Sequence, residues 1–320
     1  MVIVQFSGGL GNQLFQYTLV EYLKLFGEKV FVDVLSSYKY NIEHNGPEFH
    51  KIFNINDCPE LRYELFFFSI RRKCIIFLLH FLRKIIHSNR ITEWKISHLF
   101  PFWFLPSFLF TTINIDNSTV VFKEDCLYIN SRCIHFKKKQ FQKYILSGCA
   151  SINPEWMIDI ESKLRNLCIR YDKHLNNEND SILKKIENSN SVGVHIRRGD
   201  FGKSKGREKS IILNPAYYIE AFNRIEMELI NPEYYIFTDD KEWVRSCFNL
   251  SNAFIVDVNG IDKCFLDMFL MSRCKHNIIS NSTFSWWGAW LNANPSKIVI
   301  SPKHLYGCDP MLVAKGWVIL

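Results

Sequence analysis

Long apolar runs are missing from this chain. The most hydrophobic stretches, Leu65–Phe68, Ile75–Leu79 and Phe102–Leu105, are interrupted by basic residues or proline, and none approaches the ~18–20 apolar residues of a membrane-spanning helix. Cysteines at CxxC spacing are also missing, as is any His/Cys cluster with zinc-site spacing. The ten cysteines are scattered over 320 residues, which suits reduced structural thiols better than a disulfide scaffold. No basic flank or cleavage site precedes the strand-like opening Val2-Ile3-Val4-Gln5-Phe6, so a signal peptide is not expected. The expected compartment is the cytoplasm. Segment 65–110 has two readings, helical core packing or a basic, aromatic surface docked peripherally on the inner membrane face.

What is present is an ordinary globular composition, 48% hydrophobic and 22% charged. That is enough for a real core in one large or two mid-sized domains. The net charge is +7, much of it in clusters such as Arg71-Arg72-Lys73 and Lys137-Lys138-Lys139. Such an excess favours anionic partners, a nucleotide or an acidic surface. Nucleic acid is not an expected partner, because the basic patches are scattered and no recognised module is present.

Residues 176–320 alternate strand and helix. Apolar runs at 192–197, 234–237, 253–256, 277–280 and 297–300 read as strands, with helical patterns in each gap. Asn214-Pro215 is a cap followed by proline at the first helical position, and Asp240 is placed to cap the next helix. Strict alternation implies a parallel, doubly wound sheet. The first half begins the same way, with strand 2–6, a helix from Asn12 to Phe26 and strand Val30–Val32. A helix opened by Asn153-Pro154-Glu155 and the polar tract Asn176–Asp180 then separate the halves. The expected division is residues 1–175 and 176–320.

Two segments carry chemistry. Asn281-Ser282-Thr283-Phe284-Ser285 follows a buried strand and leads into Trp286, Trp287, Trp290 and Leu291 at helical spacing. First-turn N–H groups lack partners within a helix, so this junction is a ready phosphate site. The tryptophans read as core. Val192–Asp200 is a strand ending in His195, Arg197, Arg198 and Asp200. Strand alternation puts His195 and Arg197 on one face and Arg198 on the other. Ligands of open α/β sheets bind beyond the carboxyl ends of strands, and arginine's planar fork suits a diphosphate.

The turn Gly8-Gly9-Leu10-Gly11-Asn12-Gln13-Leu14, with Asp33 closing the next strand, imitates a dinucleotide fingerprint. A NAD- or flavin-dependent Rossmann oxidoreductase is therefore the alternative reading. Against it, Leu14 occupies the place of the third glycine, and Asn12 and Gln13 bring side-chain amides suited to a sugar.

Taken in order, Gly8–Gln16, His195–Asp200, Phe237-Thr238-Asp239-Asp240 and Asn281–Gly288 resemble glycosyltransferase family 11, the alpha-1,2-fucosyltransferases, here of bacterial type. Met268–His276 looks like the helix before the last motif, and Ser301-Pro302-Lys303 and Gly316-Trp317 resemble the usual ending. The resemblance implies a GT-B fold, two Rossmann-like domains facing a cleft, with GDP-fucose held mainly by the second. It implies inverting, metal-independent transfer of fucose to the 2-hydroxyl of a galactose-terminated glycan, here in surface glycan synthesis. No cofactor or metal is expected; Asp239-Asp240 is not a DxD and Asp257-Val258-Asn259 only loosely imitates one.

Residue roles follow from this likeness. Arg197 is expected at the β-phosphate, with Arg198, Asn281, Ser282, Thr283 and the N–H groups near Phe284 around the other phosphate oxygens. His195 is open between orienting Arg197, touching the donor and packing as a strand histidine. Asp200 either accepts the hydroxyl proton or pairs with Arg198. Asp239 and Asp240 are nucleotide or sugar contacts, with helix capping an equal account of Asp240. Asp267 is a nucleotide candidate whose ordinary alternative is a helix-face salt bridge. Gly8, Gly9, Asn12 and Gln13 shape the cleft on the acceptor side. Arg132–Lys138 departs from the family pattern, which leaves acceptor specificity open.

Overall fold

Short apolar strands separated by amphipathic segments can bury themselves only as layers, and the described residues form two parallel sheets and a three-stranded antiparallel one. The structure, a computed structural model, describes residues 2–6, 8–25, 30–33, 48, 110–114, 120–123, 126–129, 132–135, 143–147, 160–168, 175–199, 212–249, 251–303 and 314–320. The first sheet holds β1 (Val2–Gln5), β2 (Val30–Asp33), β3 (Phe110–Asn114) and β7 (Lys143–Ser147) in the order β2-β1-β7-β3, all parallel. Helix α1 (Leu10–Leu25) connects β1 and β2. An antiparallel meander of β4 (Val120–Lys123), β5 (Cys126–Ile129) and β6 (Arg132–His135) lies between β3 and β7 in sequence. Helices α2 (Glu161–Cys168) and α3 (Asn177–Asn188) follow.

The second sheet contains β8 (Asn190–Ile196), β9 (Pro232–Thr238), β10 (Ala253–Ile255), β11 (His276–Ile278), β12 (Val299–Ser301) and β13 (Val318–Ile319). Between them run α4 (Pro215–Glu228), α5 (Lys241–Cys247), α6 (Cys264–Arg273) and α7 (Thr283–Leu291). The strands are parallel in the order β10-β9-β8-β11-β12-β13. Renumbered from β8 this is 3-2-1-4-5-6, the doubly wound order of dinucleotide-binding folds. The order reverses between β8 and β11, and the crevice at that reversal is where such sheets bind ligands.

Alternation along β8 divides the packing. Val192, Val194 and Ile196 join Tyr218, Phe222 and Ile225 of α4 in one buried cluster. On the other face, a methyl at Gly193 would lie 3.0 Å from the Asn277 amide and 3.1 Å from the Cys274 sulfur, so α6 and β11 approach closely there. That second cluster runs through Leu266, Met271, Trp286 and Trp287 and continues without a break into Leu14, Phe15 and Leu19 of α1. The Phe15 ring lies 4.9 Å from Trp286 and 5.1 Å from Trp287. Helix α7 is therefore shared core between the first part of the chain and the second. Trp286 and Trp287 are fully buried and Trp290 nearly so, as expected.

The polar tract Asn176–Asp180 opens a helix. Asn176 caps α3, its Oδ1 accepting from the Asn179 N–H at 2.9 Å, and α3 packs on α6 and β8. Asn214 and Asp240 cap α4 and α5 as the sequence indicated. Leu65–Phe68, Ile75–Leu79, Phe102–Leu105, Asn153-Pro154-Glu155 and Phe136–Lys138 lie outside the described residues. No described helix is long and apolar enough to cross a membrane.

Candidate functional site

Strand β8 ends at Ile196 beside the reversal point, and its last inward side chain toward α7 is His195. The imidazole is 5% exposed, lies 5.3 Å from the Phe284 ring, and has Nδ1 2.7 Å from Ser280 Oγ. Ser280 Oγ is 3.3 Å from Ser285 Oγ, and the Ser285 hydroxyl donates to the Ser282 carbonyl at 3.1 Å. This chain of short bonds spans the reversal from β8 to the loop after β11. It fixes the backbone that opens α7, where Ser282 Oγ accepts from the Phe284 N–H at 3.3 Å. Asn281 and Ser282 are buried in the same loop. His195 is therefore a hydrogen-bonded buried group next to the helix start.

The two arginines are held differently. Arg198 donates its backbone N–H to Asp239 Oδ1 at 2.8 Å, places Nε 3.4 Å from Asp240 Oδ2, and lays its guanidinium 4.0 Å over the Trp243 ring of α5. A stacked, paired guanidinium on α5 is an anchor for the strand end. Arg197 meets Asp239 Oδ2 at a longer 3.6 Å. Asp239 thus orients both arginines, and a methyl at Gly199 would meet its carboxyl carbon at 3.3 Å. Asp240 spends Oδ1 on the Trp243 N–H at 3.1 Å, which is the capping role. Asp200 lies outside the described residues.

The Gly-rich turn reaches the same helix start from the other sheet. Thr283 Oγ1 donates to Asn12 Oδ1 at 2.8 Å. At Gly11 a methyl would stand 2.5 Å from the Thr283 carbonyl carbon and 2.6 Å from the Phe284 nitrogen. Only glycine allows two backbones so close. Gly8 has φ +73°, and a methyl there would strike the Asn12 amide at 2.4 Å. The Gly9 carbonyl accepts from the Asn12 and Gln13 N–H groups at 3.0 and 3.1 Å. Gln13 is fully buried; it donates to the Gly8 carbonyl at 3.1 Å and accepts from the Glu48 N–H at 3.0 Å. Gln13 braces the turn from inside, while Asn12 carries the turn onto α7.

Asp267 belongs to a separate network. Its Oδ1 accepts from Asn259 Nδ2 at 2.8 Å, and Asn259 pairs reciprocally with the fully buried Asn179, both bonds 2.9 Å. Burial pushes the Asp267 carboxyl up to about 7, with Asn259 opposing the rise. Amide bonding from α3 and the loop after β10 stands where the ordinary alternative to a nucleotide contact had a helix-face salt bridge. Among the described residues no cluster of His, Cys, Asp and Glu could hold a metal ion.

The structure thus brings together His195 with Phe284, and Arg197 and Arg198 with Asp239 and Asp240. It also joins Asn12 to Thr283. Ser280, Ser285, Trp243 and Gly11 had no role in the sequence reading beyond their places in motifs. For Ser280 and Ser285 a weak signal existed, two hydroxyls flanking the Asn-Ser-Thr loop; Trp243 had none.

Comparison with known proteins places the chain in a family. The model of glycosyl transferase family 11 matches residues 130–314. An O-antigen biosynthesis glycosyltransferase, WbnK of Escherichia coli, is 32% identical over 98% of this chain and 98% of its own length. An alpha-1,2-colitosyltransferase of Escherichia coli is 28% identical over 94% of this chain and 91% of its own. Galactoside alpha-(1,2)-fucosyltransferase 1 of Saimiri boliviensis boliviensis is 28% identical over 37% of this chain and 35% of its own. Nothing supports the oxidoreductase alternative: Leu14 fills the place of the third glycine as buried core, and Asn12 is turned onto Thr283. With a family match across more than half its length and a relative that spans it, the chain is a glycosyltransferase and belongs to glycosyl transferase family 11.

Proposed function

We propose that this enzyme transfers fucose from GDP-fucose to the 2-hydroxyl of a terminal galactoside, in the assembly of an O-antigen-type surface polysaccharide. The observation that carries the reading is the convergence at one sheet reversal of the Arg197–Asp239 pair, the His195–Ser280 bond and the start of α7. Glycosyl transfer from a nucleotide diphosphate needs a site where negative charge builds on the leaving group. Preorganised cations and N–H groups aimed at that charge supply the largest stabilisation.

In the proposed step the galactoside oxygen attacks C1 of fucose as the C1–O bond to the β-phosphate breaks, which inverts the anomeric centre. Arg197 takes the β-phosphate, and the Ser282 hydroxyl with the N–H groups near Phe284 takes the remaining oxygens. His195 and Ser280 hold that loop still while charge develops. Asp239 keeps Arg197 extended toward the strand end. The hydroxyl proton passes to a base, for which Asp200 is the sequence's nominee. The arginine and the helix start supply the charge compensation, so no metal is required in this scheme. We place the reaction in the cytoplasm at the inner membrane face; recovery of all the protein in soluble fractions at low salt would refute docking there.

The colitosyltransferase relative makes GDP-colitose the competing donor. Purified enzyme with chelator, lactose-type acceptors and either nucleotide sugar tests the proposal. Formation of an alpha-1,2-fucosyl product with chelator present supports it. A product linked elsewhere, turnover with GDP-colitose alone, or turnover only after metal addition would each overturn the corresponding part.

A further inference from the structure

We infer that Lys297 is a positioning residue for donor binding: its ammonium grips the far end of α7 and thereby sets the N–H groups at the near end. Lys297 Nζ donates to the carbonyls of Ala289 at 2.8 Å, Asn292 at 2.6 Å and Trp290 at 3.3 Å. Last-turn carbonyls have no partner inside a helix, and an ammonium has three N–H bonds to give them. A second cation reaches the same end from a distant part of the chain. Arg165 of α2 donates to the Leu291 carbonyl at 3.2 Å and sits 4.6 Å over the Trp290 ring. The carbonyls of residues 289–292 are thus all met by positive side chains.

Glu161 pairs with Arg165 at 2.7 Å. On the β11 side Lys275 precedes His276, whose Nδ1 accepts from the Ile298 N–H at 3.0 Å and whose titration is held below the usual range by burial, then by Lys275. Burial, then Arg165, pulls Lys297 down to about 8, with Glu161 opposing. Its charge is therefore present at neutrality and mostly gone one unit above 8.

The inference rests on the donor phosphates lying at the start of α7. Nine residues of helix put Lys297 about 13 Å behind the first-turn N–H groups. One positive charge at that distance strengthens anion binding by about two- to eight-fold over effective dielectrics of 80 to 20. Global stability moves the other way. The folded value is below the 10.5 of an ordinary lysine, so in that window the unfolded chain binds the extra proton and stability rises with pH. A purely structural lysine gives no alkaline loss of affinity in a chain that becomes no less stable.

Calorimetric titration with GDP at about pH 7 and about pH 9, with thermal melts alongside, tests this on wild type, Lys297→Met and Lys297→Arg. Wild type is expected to lose two- to eight-fold in affinity at the higher pH without losing thermal stability. Lys297→Met should start that much weaker and stay flat, and Lys297→Arg, charged throughout, should lose the wild-type pH dependence. A folded Lys297→Met with wild-type affinity and pH profile overturns the inference. If that variant does not fold, a Lys297→Arg that keeps the wild-type pH profile does so instead. Wild type that binds no GDP at about pH 7 refutes the donor-site reading itself, whatever Lys297 does.

Discussion

Replacing Gly11 with alanine separates this structure from a reading by propensity alone. Helix propensity ranks alanine above glycine by up to ~1 kcal/mol, so Gly11→Ala would be expected to stabilise α1. The structure gives the opposite sign. The new methyl would lie 2.5 Å from the Thr283 carbonyl carbon and 2.7 Å from its oxygen, roughly 1 Å inside ordinary van der Waals contact. Those atoms are backbone and cannot rotate aside, so α1 must retreat from α7. Retreat stretches the Asn12–Thr283 hydrogen bond, worth about 1 kcal/mol, and loosens Phe15 against Trp286 and Trp287. Overpacking adds about 1–3 kcal/mol. Set against alanine's propensity advantage, the net expectation is a loss of about 1–3 kcal/mol, near 2–5 °C in melting temperature for a chain of this size, with weaker GDP binding. Thermal denaturation by circular dichroism reads the first effect and calorimetry the second. A Gly11→Ala protein that melts at or above the wild-type temperature would refute the close approach of the two helices.

Three further substitutions probe neighbouring parts of the site. Burial raises the Asp267 carboxyl from 3.8 to about 7, so between those values the folded chain holds a proton that the unfolded chain releases, and stability falls as pH rises through that window. Asp267→Asn should flatten the fall between pH 5 and 8 and add about 1–3 kcal/mol at pH 8; an unchanged pH slope in denaturant melts would show that the network does not bury the charge. Arg198→Met should cost about 1–2 kcal/mol of stability through loss of the Trp243 stack and the Asp240 pair while GDP affinity stays within about three-fold, and a loss as large as that of Arg197→Ala would contradict the anchoring role. Ser280→Ala breaks the bond to His195 Nδ1 and should cost about 1–2 kcal/mol with a visible shift of the His195 ring signals by NMR; an unmoved imidazole spectrum would deny the bridge across the reversal.

The second sheet was readable because its strands are short buried runs and its helices announce their starts. Residues 234–237 were expected as a strand and form the middle of Pro232–Thr238, and Asn214-Pro215 and Asp240 cap where their chemistry says they should. The first sheet was readable only as far as β2. Strand β7 inserts between β1 and β3 although most of the first half separates it from β1 in sequence, and such long-range pairing leaves no local periodicity. The meander that takes in Arg132–His135 pairs locally, but its four-residue strands, like the two residues of Val318–Ile319, are too short to show a period. Site residues divide the same way. The charge cluster of Arg197, Arg198 and Asp239 was visible from strand ends. The Gly11 contact and the Asn12–Thr283 bond were not, because the bond joins positions 271 apart. Asp267 suggested a nucleotide contact, with a helix-face salt bridge as the ordinary alternative; its partner in the structure is Asn259, itself tied to Asn179 80 residues away.

In the proposed function the end of β8 and the start of α7 hold the diphosphate of a GDP-sugar. Calorimetric binding of GDP and UDP, without metal, to wild type and Arg197→Ala tests it most directly. Clear GDP binding is expected, with weaker UDP binding and a loss of about 10- to 100-fold for GDP in the mutant, the value of a charge-assisted hydrogen bond removed from phosphate. A folded Arg197→Ala protein that binds GDP as tightly as wild type would contradict it.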